Sequence, residues 1–211
     1  MNLKTYTLFV FLFSMSLMNF TCYDCEEFLS DNVLFPVSLA PNKPIFNVGD
    51  TIYLRVDENS LLSLENNNMT YDNSSNSFLF NLSIYELKNN KEEGFEAREK
   101  FNFISLTGNA SVFNPNYNYI NLSTICNAEK CLIEVGLIPS EKGNFLFILE
   151  SSYIESTDGC ESIYLIPEKF ELEGSKNVDL LTDLNINQLK IGYNTYQDLE
   201  SRENFYFFSV Q

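Results

Sequence analysis

Residues 49–57 read Gly49-Asp50-Thr51-Ile52-Tyr53-Leu54-Arg55-Val56-Asp57, a turn followed by a strict alternation of apolar and polar side chains. Ile52, Leu54 and Val56 fall on one face of an extended chain, because successive side chains of a strand point in opposite directions. The polar side chains fall on the other face, and the Gly-Asp pair supplies the turn before the strand. This pattern predicts a β-strand that buries one face in a core.

The same period of two recurs along the chain, with turn-rich loops between the segments. Two continuous apolar runs, residues 145–149 and 205–210, are typical of strands that are buried more deeply. About eight such segments predict an all-β fold, an antiparallel immunoglobulin-like β-sandwich. Pro167 predicts an edge strand or a break. A helical spacing near residues 178–191 predicts one minor helix near the C-terminus, with Ser175 or Asn177 as its cap. The predicted strands cover residues 33–39, 51–57, 78–84, 101–103, 133–137, 145–149, 163–172 and 205–210.

The N-terminal residues 1–21 predict an export signal. Lys4 is followed by an apolar run that starts at Leu8, and this run has the length of a secretory signal core and falls short of a membrane span. The alternatives are a buried first strand and an uncleaved anchor. We find no repeat and no linker after this segment, so residues 22–211 are expected to form a single β-sandwich domain.

Cys22 directly follows the predicted signal and is the predicted site of lipid attachment. A cysteine at this place is similar to the acylated cysteine of a bacterial lipoprotein signal. Asn19 and Thr21 differ from the usual residues, which are a branched aliphatic residue three positions before the cysteine and a small residue just before it. The alternative is cleavage at a nearby site, with Cys22 as a disulfide partner.

The chain has five cysteines, and an odd number in an exported protein needs an explanation. A lipid on Cys22 leaves four, which is enough for two disulfides in an oxidising compartment. We expect Cys126 to pair with Cys131 across a short loop, and Cys25 to pair with Cys160. Cys22 and Cys25 have CxxC spacing, but no second ligand pair or thioredoxin-like context supports a zinc or redox site.

The composition excludes several classes of function. The 211 residues have a formal net charge of −16 and include no histidine, so a basic surface for nucleic acid and any histidine-based catalytic or metal site are absent from the sequence. Carboxylates alone could hydrolyse a glycan or bind calcium, but no spacing selects a pair and no EF-hand loop occurs. We therefore expect no catalytic residue, no metal site and no cofactor. The acidic groups considered are Glu26-Glu27, Glu92-Glu93, and Asp50 with Asp57 and Glu58.

An aromatic, asparagine-rich segment at residues 113–121 is the predicted contact loop. Phe113, Tyr117 and Tyr119 would offer large, rigid contact area to a protein or glycan, as tyrosines do in paratopes and sugar-binding platforms. The alternative is that these rings pack back onto the sandwich. N-glycosylation sequons occur at Asn68, Asn73, Asn81, Asn109 and Asn121, and they would matter in a eukaryotic secretory pathway.

The chain resembles the small envelope lipoproteins of Bacteroidetes, of the flavobacterial type. The resemblance is based on Cys22-Tyr23-Asp24-Cys25 after the signal, on Phe46-Asn47-Val48-Gly49-Asp50-Thr51-Ile52-Tyr53-Leu54, and on Gly136-Leu137-Ile138-Pro139 leading into Gly143-Asn144-Phe145. It implies a lipid-anchored β-sandwich and supplies no activity.

These observations predict an exported, lipid-anchored cell-envelope protein that acts as a non-enzymatic binding or structural module. Its expected partners are the membrane, through the anchor, and a protein or glycan; its expected place is the outer membrane, on the periplasmic or the surface face. Two alternatives are a carboxylate-driven glycan-active enzyme and a secreted, N-glycosylated eukaryotic protein.

Overall fold

A computed structural model describes residues 29–63, 70–72, 77–112, 118–155, 161–171, 177–186, 188–191, 194–195 and 204–211. These residues are mostly extended, with one short α-helix and one turn of 3-10 helix (Arg98–Lys100). The strands are β1 (Leu29–Ala40), β2 (Ile45–Phe46), β3 (Ile52–Asn59), β4 (Leu61–Ser63), β5 (Thr70–Asp72), β6 (Leu79–Leu87), β7 (Gly94–Glu96), β8 (Phe101–Thr107), β9 (Asn109–Ser111), β10 (Tyr119–Ser123), β11 (Ile125–Cys126), β12 (Lys130–Pro139), β13 (Gly143–Glu150), β14 (Ser152–Glu155), β15 (Glu161–Glu171), β16 (Lys190–Ile191), β17 (Asn194–Thr195) and β18 (Phe205–Val210); the helix is α1 (Asp179–Asp183).

Two large sheets pack face to face, which confirms the predicted all-β sandwich. The first sheet has the strand order β11-β12-β3-β1-β15-β14, with β8 also paired to β12. The second sheet has the order β2-β18-β13-β6-β10-β9, with β7 also paired to β6. Most neighbours are antiparallel, as predicted, but β1 runs parallel to β15 and β2 runs parallel to β18.

The N-terminal strands join the two sheets. β1 pairs with β3 in the first sheet, and after a few residues the chain continues as β2 at the edge of the second sheet, beside β18. The N-terminal part of the chain therefore contributes one strand to each sheet. β14 and β15 extend the first sheet beyond β1.

The core between the sheets is rich in phenylalanine. Phe208 lies at its centre, with ring centroids 4.7 Å from Phe147, 5.4 Å from Phe46 and 5.8 Å from Phe145. The predicted inward residues of β3 and β6 all lie in this core, because the alternation of each strand directs them there. They are Ile52, Leu54, Val56, Phe80, Leu82 and Ile84.

A second hydrophobic cluster covers part of the outer face of the second sheet. Phe205 and Phe207 of β18, together with Leu146 of β13, pack there against Leu181 of α1 and Leu189. β13 and β18 are therefore buried on both faces. This double burial is the physical reason for the two continuous apolar runs in the sequence.

The structure refines two local predictions. The register between β1 and β15 shifts next to Pro167, where β14 no longer pairs with β15, so the proline lies at a bulge on an edge, as expected. Asn177 does not cap α1: the N-cap residue is Val178, without a side-chain cap, and Asn177 Nδ2 donates to the Phe207 carbonyl at 2.9 Å.

Gly108 marks the corner where the chain leaves β8 in the first sheet and enters β9 in the second. Its φ is +73°, a conformation that residues with a Cβ rarely adopt. A Cβ at this position would also lie 2.6 Å from the Ser123 carbonyl oxygen and 2.9 Å from Ile133. Gly49, in the turn before β3, has φ +87° but no atom within 4 Å of the corresponding position.

We therefore predict that Gly108→Ala destabilises the protein more than Gly49→Ala. Gly49→Ala meets backbone strain alone, about 1–2 kcal/mol, whereas Gly108→Ala meets the same strain and a clash with backbone. The free energies of unfolding from urea denaturation provide the measurement. Equal decreases in the free energy of unfolding of the two variants would show that the chain around Gly108 accommodates a Cβ without a further loss of stability.

Candidate functional site

The structure describes some of the predicted functional residues and not others. Cys22, Cys25, Cys160, Phe113 and Tyr117 lie outside the described residues, so the lipid site, the Cys25–Cys160 pair and most of the contact loop stay predictions.

The predicted pairing of Cys126 with Cys131 is confirmed. The two sulfurs are 2.06 Å apart, and the residues face each other in the β11–β12 hairpin. Cys131 is fully buried in the core between the sheets. The disulfide therefore fastens the edge strand β11 to a strand that contributes to the core.

Tyr119 lies at the start of β10, on the outer face of the second sheet. Its neighbour Ile120 points into the core, so the Tyr119 side chain points outward, and it is half-buried. Its partner across the strands is Ser83 of β6. Tyr119 is thus placed on the part of this face that carries polar side chains.

Four polar side chains form a row across that face. Glu150 of β13 is paired with Asn81 of β6, Asn81 with Asn121 of β10, and Asn121 with Ser111 of β9. Adjacent strands lie about 4.8 Å apart, so the row is about 15 Å long. Each member points outward, because its neighbours Phe80, Leu82, Ala110, Ile120, Leu122 and Leu149 point into the core. We call Glu150, Asn81, Asn121 and Ser111 the polar row.

Some polar atoms in and beside the polar row have hydrogen-bond partners within the protein, and others do not. Ser83 donates its hydroxyl to Glu150 Oε1 at 2.6 Å, which holds that carboxylate in place. Asn121 Nδ2 is buried and has no hydrogen-bond partner. Asn204 Oδ1 is also buried without a hydrogen-bond partner, although the Nδ2 of the same side chain donates to the Leu149 carbonyl at 2.8 Å. A buried polar group without a partner costs free energy, so Asn121 Nδ2 and Asn204 Oδ1 reduce the stability of this face.

Asn118 holds the strand that carries Tyr119 and Asn121. The backbone of β6 is paired with β10 up to Ser83 and with β7 from Tyr85 onward, which leaves Ile84 between them. The Asn118 side chain fills this gap: its Nδ2 donates to the Ile84 carbonyl, and its Oδ1 accepts from Ala97 N at 2.9 Å and Arg98 N at 3.0 Å.

The outer face of the first sheet has a different character. A cavity of about 440 Å³ lies there, lined by side chains of β1, β3 and β12 that include Tyr53, Arg55 and Glu134. Arg55 pairs with Asp57 at 2.9 Å, and Lys130 pairs with the other oxygen of that carboxylate. The hydrogen bond from Lys130 is the main cause that lowers the pKa of Asp57. The Asp57 carboxylate beside this cavity is therefore paired with two basic side chains.

Asp50 and Asp57, two of the acidic residues considered for catalysis, do not form a pair. Asp50 accepts from Asn47 N and from Lys43 Nζ, both at 2.9 Å, and these hydrogen bonds lower its pKa. Seven residues of extended chain separate Asp50 from Asp57, which is about 23 Å. Glycosidase carboxylates lie roughly 5–10 Å apart, so Asp50 and Asp57 cannot act together.

Asp57 and Glu58 are neighbours on β3 and point to opposite faces. Glu92 and Glu93 are exposed, and Glu26 and Glu27 lie outside the described residues. Within the described ranges, no three acidic or cysteine side chains are grouped so that they could hold a metal ion. No helix among these residues is long and apolar enough to span a membrane.

Sequence reasoning missed the polar row and the role of Asn118. In the sequence, Asn81 and Asn121 are noted as sequons, and Asn81 also lies in a predicted strand and Asn121 at the end of the predicted contact loop. Their alignment with Glu150 and Ser111 depends on the register of four strands that are far apart in the chain.

We predict that Asn118→Ala lowers the free energy of unfolding by about 2 kcal/mol. The change removes three hydrogen bonds of a buried amide, at about 1 kcal/mol for each bond, with partial recovery by water. Asn109→Ala, at an exposed asparagine of β9, is the matched control and should change stability by less than about 0.5 kcal/mol. A loss of similar size in both variants would argue against the bridging role of Asn118.

Comparison of the chain with protein-family models and with curated proteins finds no match.

Proposed function

We propose that this chain is an exported cell-envelope protein, anchored by a lipid on Cys22, whose sandwich acts as a non-enzymatic binding or structural module. The polar row is the observation that carries the binding part of this proposal. It places four polar side chains side by side on an outward face, whereas the carboxylates of Asp50 and Asp57 are already paired with the side chains of Lys43 and Arg55. The expected partner is a protein or a glycan.

The disulfide supports export. Cys126 and Cys131 are bonded, and stable disulfides belong to oxidising compartments such as the bacterial periplasm or the cell surface. Three cysteines remain outside the described residues, namely Cys22, Cys25 and Cys160. A lipid on Cys22 and a bond between Cys25 and Cys160 would account for all three.

The spacing between Cys22 and the first strand supports a short tether. Cys22 precedes the first residue of β1, Leu29, by seven positions. Seven residues reach about 25 Å at most when fully extended. The acyl chains of a lipoprotein give lasting attachment, because two or more chains are needed for stable anchoring. The sandwich would therefore stay close to the membrane surface.

The secreted, glycosylated alternative receives less support. N-glycosylation attaches the sugar to the side-chain amide nitrogen of asparagine in surface loops. Asn81 and Asn121 instead lie within strands, and Asn121 Nδ2 is buried; Asn109 is exposed, and Asn68 and Asn73 lie outside the described residues. The carboxylate-driven enzyme receives no support from Asp50 and Asp57, which are too far apart to act together and are each paired with a basic side chain.

We predict that Cys22→Ser releases the protein from the membrane. Expressed in a bacterium that processes lipoproteins, the wild-type chain should enter the detergent phase of Triton X-114, and Cys22→Ser should enter the aqueous phase. Cys25→Ser is the matched control and should stay in the detergent phase, since Cys25 is expected to carry no lipid. Detergent partitioning of Cys22→Ser would contradict the anchor.

A thiol count provides an independent prediction. The mature protein, denatured without reduction and treated with an alkylating reagent, should show no free thiol by mass spectrometry. The physical reason is that the lipid occupies Cys22 while the four other cysteines form two disulfides. One free thiol would mean that Cys22 is not acylated, and two or more would mean that Cys25 and Cys160 are not paired.

A further inference from the structure

We propose that the outer edge of β8 binds an extended peptide segment of another protein, which joins the first sheet as an added strand. This interaction surface lies at the edge of the first sheet, whereas the polar row lies on the outer face of the second sheet. The inference therefore goes beyond the proposed function, and it depends neither on the lipid anchor nor on the polar row. It is based on the pairing, exposure and composition of β8 and on the charge of the protein.

β8 forms one side of the first sheet. Among the residues that the structure describes, β12 is the only strand that pairs with β8. Just before β8, the Lys100 carbonyl accepts from Ser140 N at 2.8 Å, so Lys100 and Ser140 form a hydrogen-bonded pair of the antiparallel ladder. Such pairs alternate with pairs that exchange no hydrogen bonds. Phe103 lies three positions further along, so its backbone N–H and C=O point away from β12, toward the outer edge.

The side chains of β8 show that this edge is open to solvent. Phe101 and Phe103 pack against the core, so Ile104 points to the outer face of the sheet. Ile104 is 51% exposed and Leu106 is 55% exposed. Ser105, which lies between them and points to the opposite face from Ile104, is exposed as well. Because exposed side chains occur on both faces of the strand, the edge between these faces is accessible to a partner.

β8 lacks most of the features that protect edge strands from pairing. Natural edge strands are commonly protected by charged residues, proline or a bulge. The sequence Phe101-Asn102-Phe103-Ile104-Ser105-Leu106-Thr107 contains no charged residue and no proline. The pairing register shifts between Glu134 and Val135, which places a bulge near the end of β8. Residues 101–105 therefore remain as a regular edge, about 17 Å long, with which an extended peptide can pair.

A cavity of about 350 Å³ lies where β8 ends. Gly108 and Asn109, which follow β8 directly, line it together with Thr124 and Ile125. Ile125 belongs to β11, which pairs with β12 on the same side as β8. When a peptide adds to a sheet edge, its backbone hydrogen bonds give affinity and pockets for its side chains give specificity. A segment that extends past β8 could therefore place one side chain in this cavity.

The charge of the protein favours one class of partner. The chain has a formal net charge of −16, so a second copy of the chain or an acidic segment is repelled. A segment with basic residues on either side of its pairing residues is attracted, and β8 itself carries no charge. Ile104 would pack beside an apolar side chain of the added strand. The expected partner is therefore an extended protein segment with apolar pairing residues and basic flanks.

The test is an NMR titration of the full chain carrying Cys22→Ser, labelled with nitrogen-15. The probe is a synthetic peptide of alternating valine and threonine with two lysines at each end. It should bind with a Kd below about 1 mM, and the backbone amide signals of Phe103 and Ile104 should shift. The same peptide with N-methylated central residues cannot donate backbone hydrogen bonds and should not bind. If the lysine peptide leaves the β8 signals unchanged, or if N-methylation does not weaken binding, the proposal is wrong.

A second peptide tests the charge of the partner. Glutamate in place of each lysine should weaken binding at least tenfold, because the acidic protein repels an acidic segment. Equal binding of the two peptides would contradict the basic flanks of the proposed partner.

Substitutions locate the binding surface. Ile104→Ser should weaken binding of the lysine peptide about tenfold, because it removes the exposed apolar side chain beside the added strand. Ile45→Ser is the matched control: Ile45 is 47% exposed in β2 at the edge of the second sheet, and the variant should bind as before. Both side chains are exposed, so both variants should keep the thermal stability of the parent chain. Unchanged binding by Ile104→Ser would overturn the proposal.

Sedimentation velocity of the chain without peptide tests a second copy as the occupant of this edge. The chain should sediment as a monomer, because two copies of this charge repel each other. A dimer that dissociates in Ile104→Ser and persists in Ile45→Ser would assign the edge to a second copy and would contradict a partner of another kind.

Discussion

The burial of β18 on both of its faces is the constraint on which the rest of the structure depends. Phe208 and Tyr206 pack into the core between the sheets, whereas Phe205 and Phe207 pack into the cluster under α1. Each buried side chain of this size contributes roughly 1.5–3 kcal/mol. The same strand also pairs with β13 and β2, and the Tyr206 hydroxyl donates to the Lys43 carbonyl at 2.7 Å. The final residues of the chain therefore hold the two sheets and the outer cluster together.

Much of the fold can be predicted from local sequence patterns. The alternation in residues 51–57 predicts a half-buried strand, and Ile52, Leu54 and Val56 are indeed almost fully buried. The run 205–210 predicts deep burial, which is correct, but nothing local shows that Leu181 and Leu189 cover its outer side. The sequence also does not predict the parallel pairing of β1 with β15. The two segments lie more than 100 residues apart, and no feature of either segment indicates that it pairs with the other.

The candidate site was less predictable than the fold. The Cys126–Cys131 disulfide follows from a short loop between two strands, which is a local feature. The polar row takes one residue from each of four strands, and its alignment depends on backbone register and not on any motif. Asn118 escaped notice for a similar reason: its amide bridges Ile84 of β6 and Ala97 just after β7, and these residues lie next to Asn118 only when β10 pairs with β6.

The parallel pairing of β1 with β15 also determines how the domain would carry mechanical load. Ten residues of β1 have partners on β15, and inter-strand hydrogen bonds run across the strand direction. A pull on the N-terminus along β1, as from a membrane tether, would slide β1 past β15 and strain these bonds together. Because the pull would load all of these hydrogen bonds at once, β1 would resist detachment more strongly than if the bonds opened one after another.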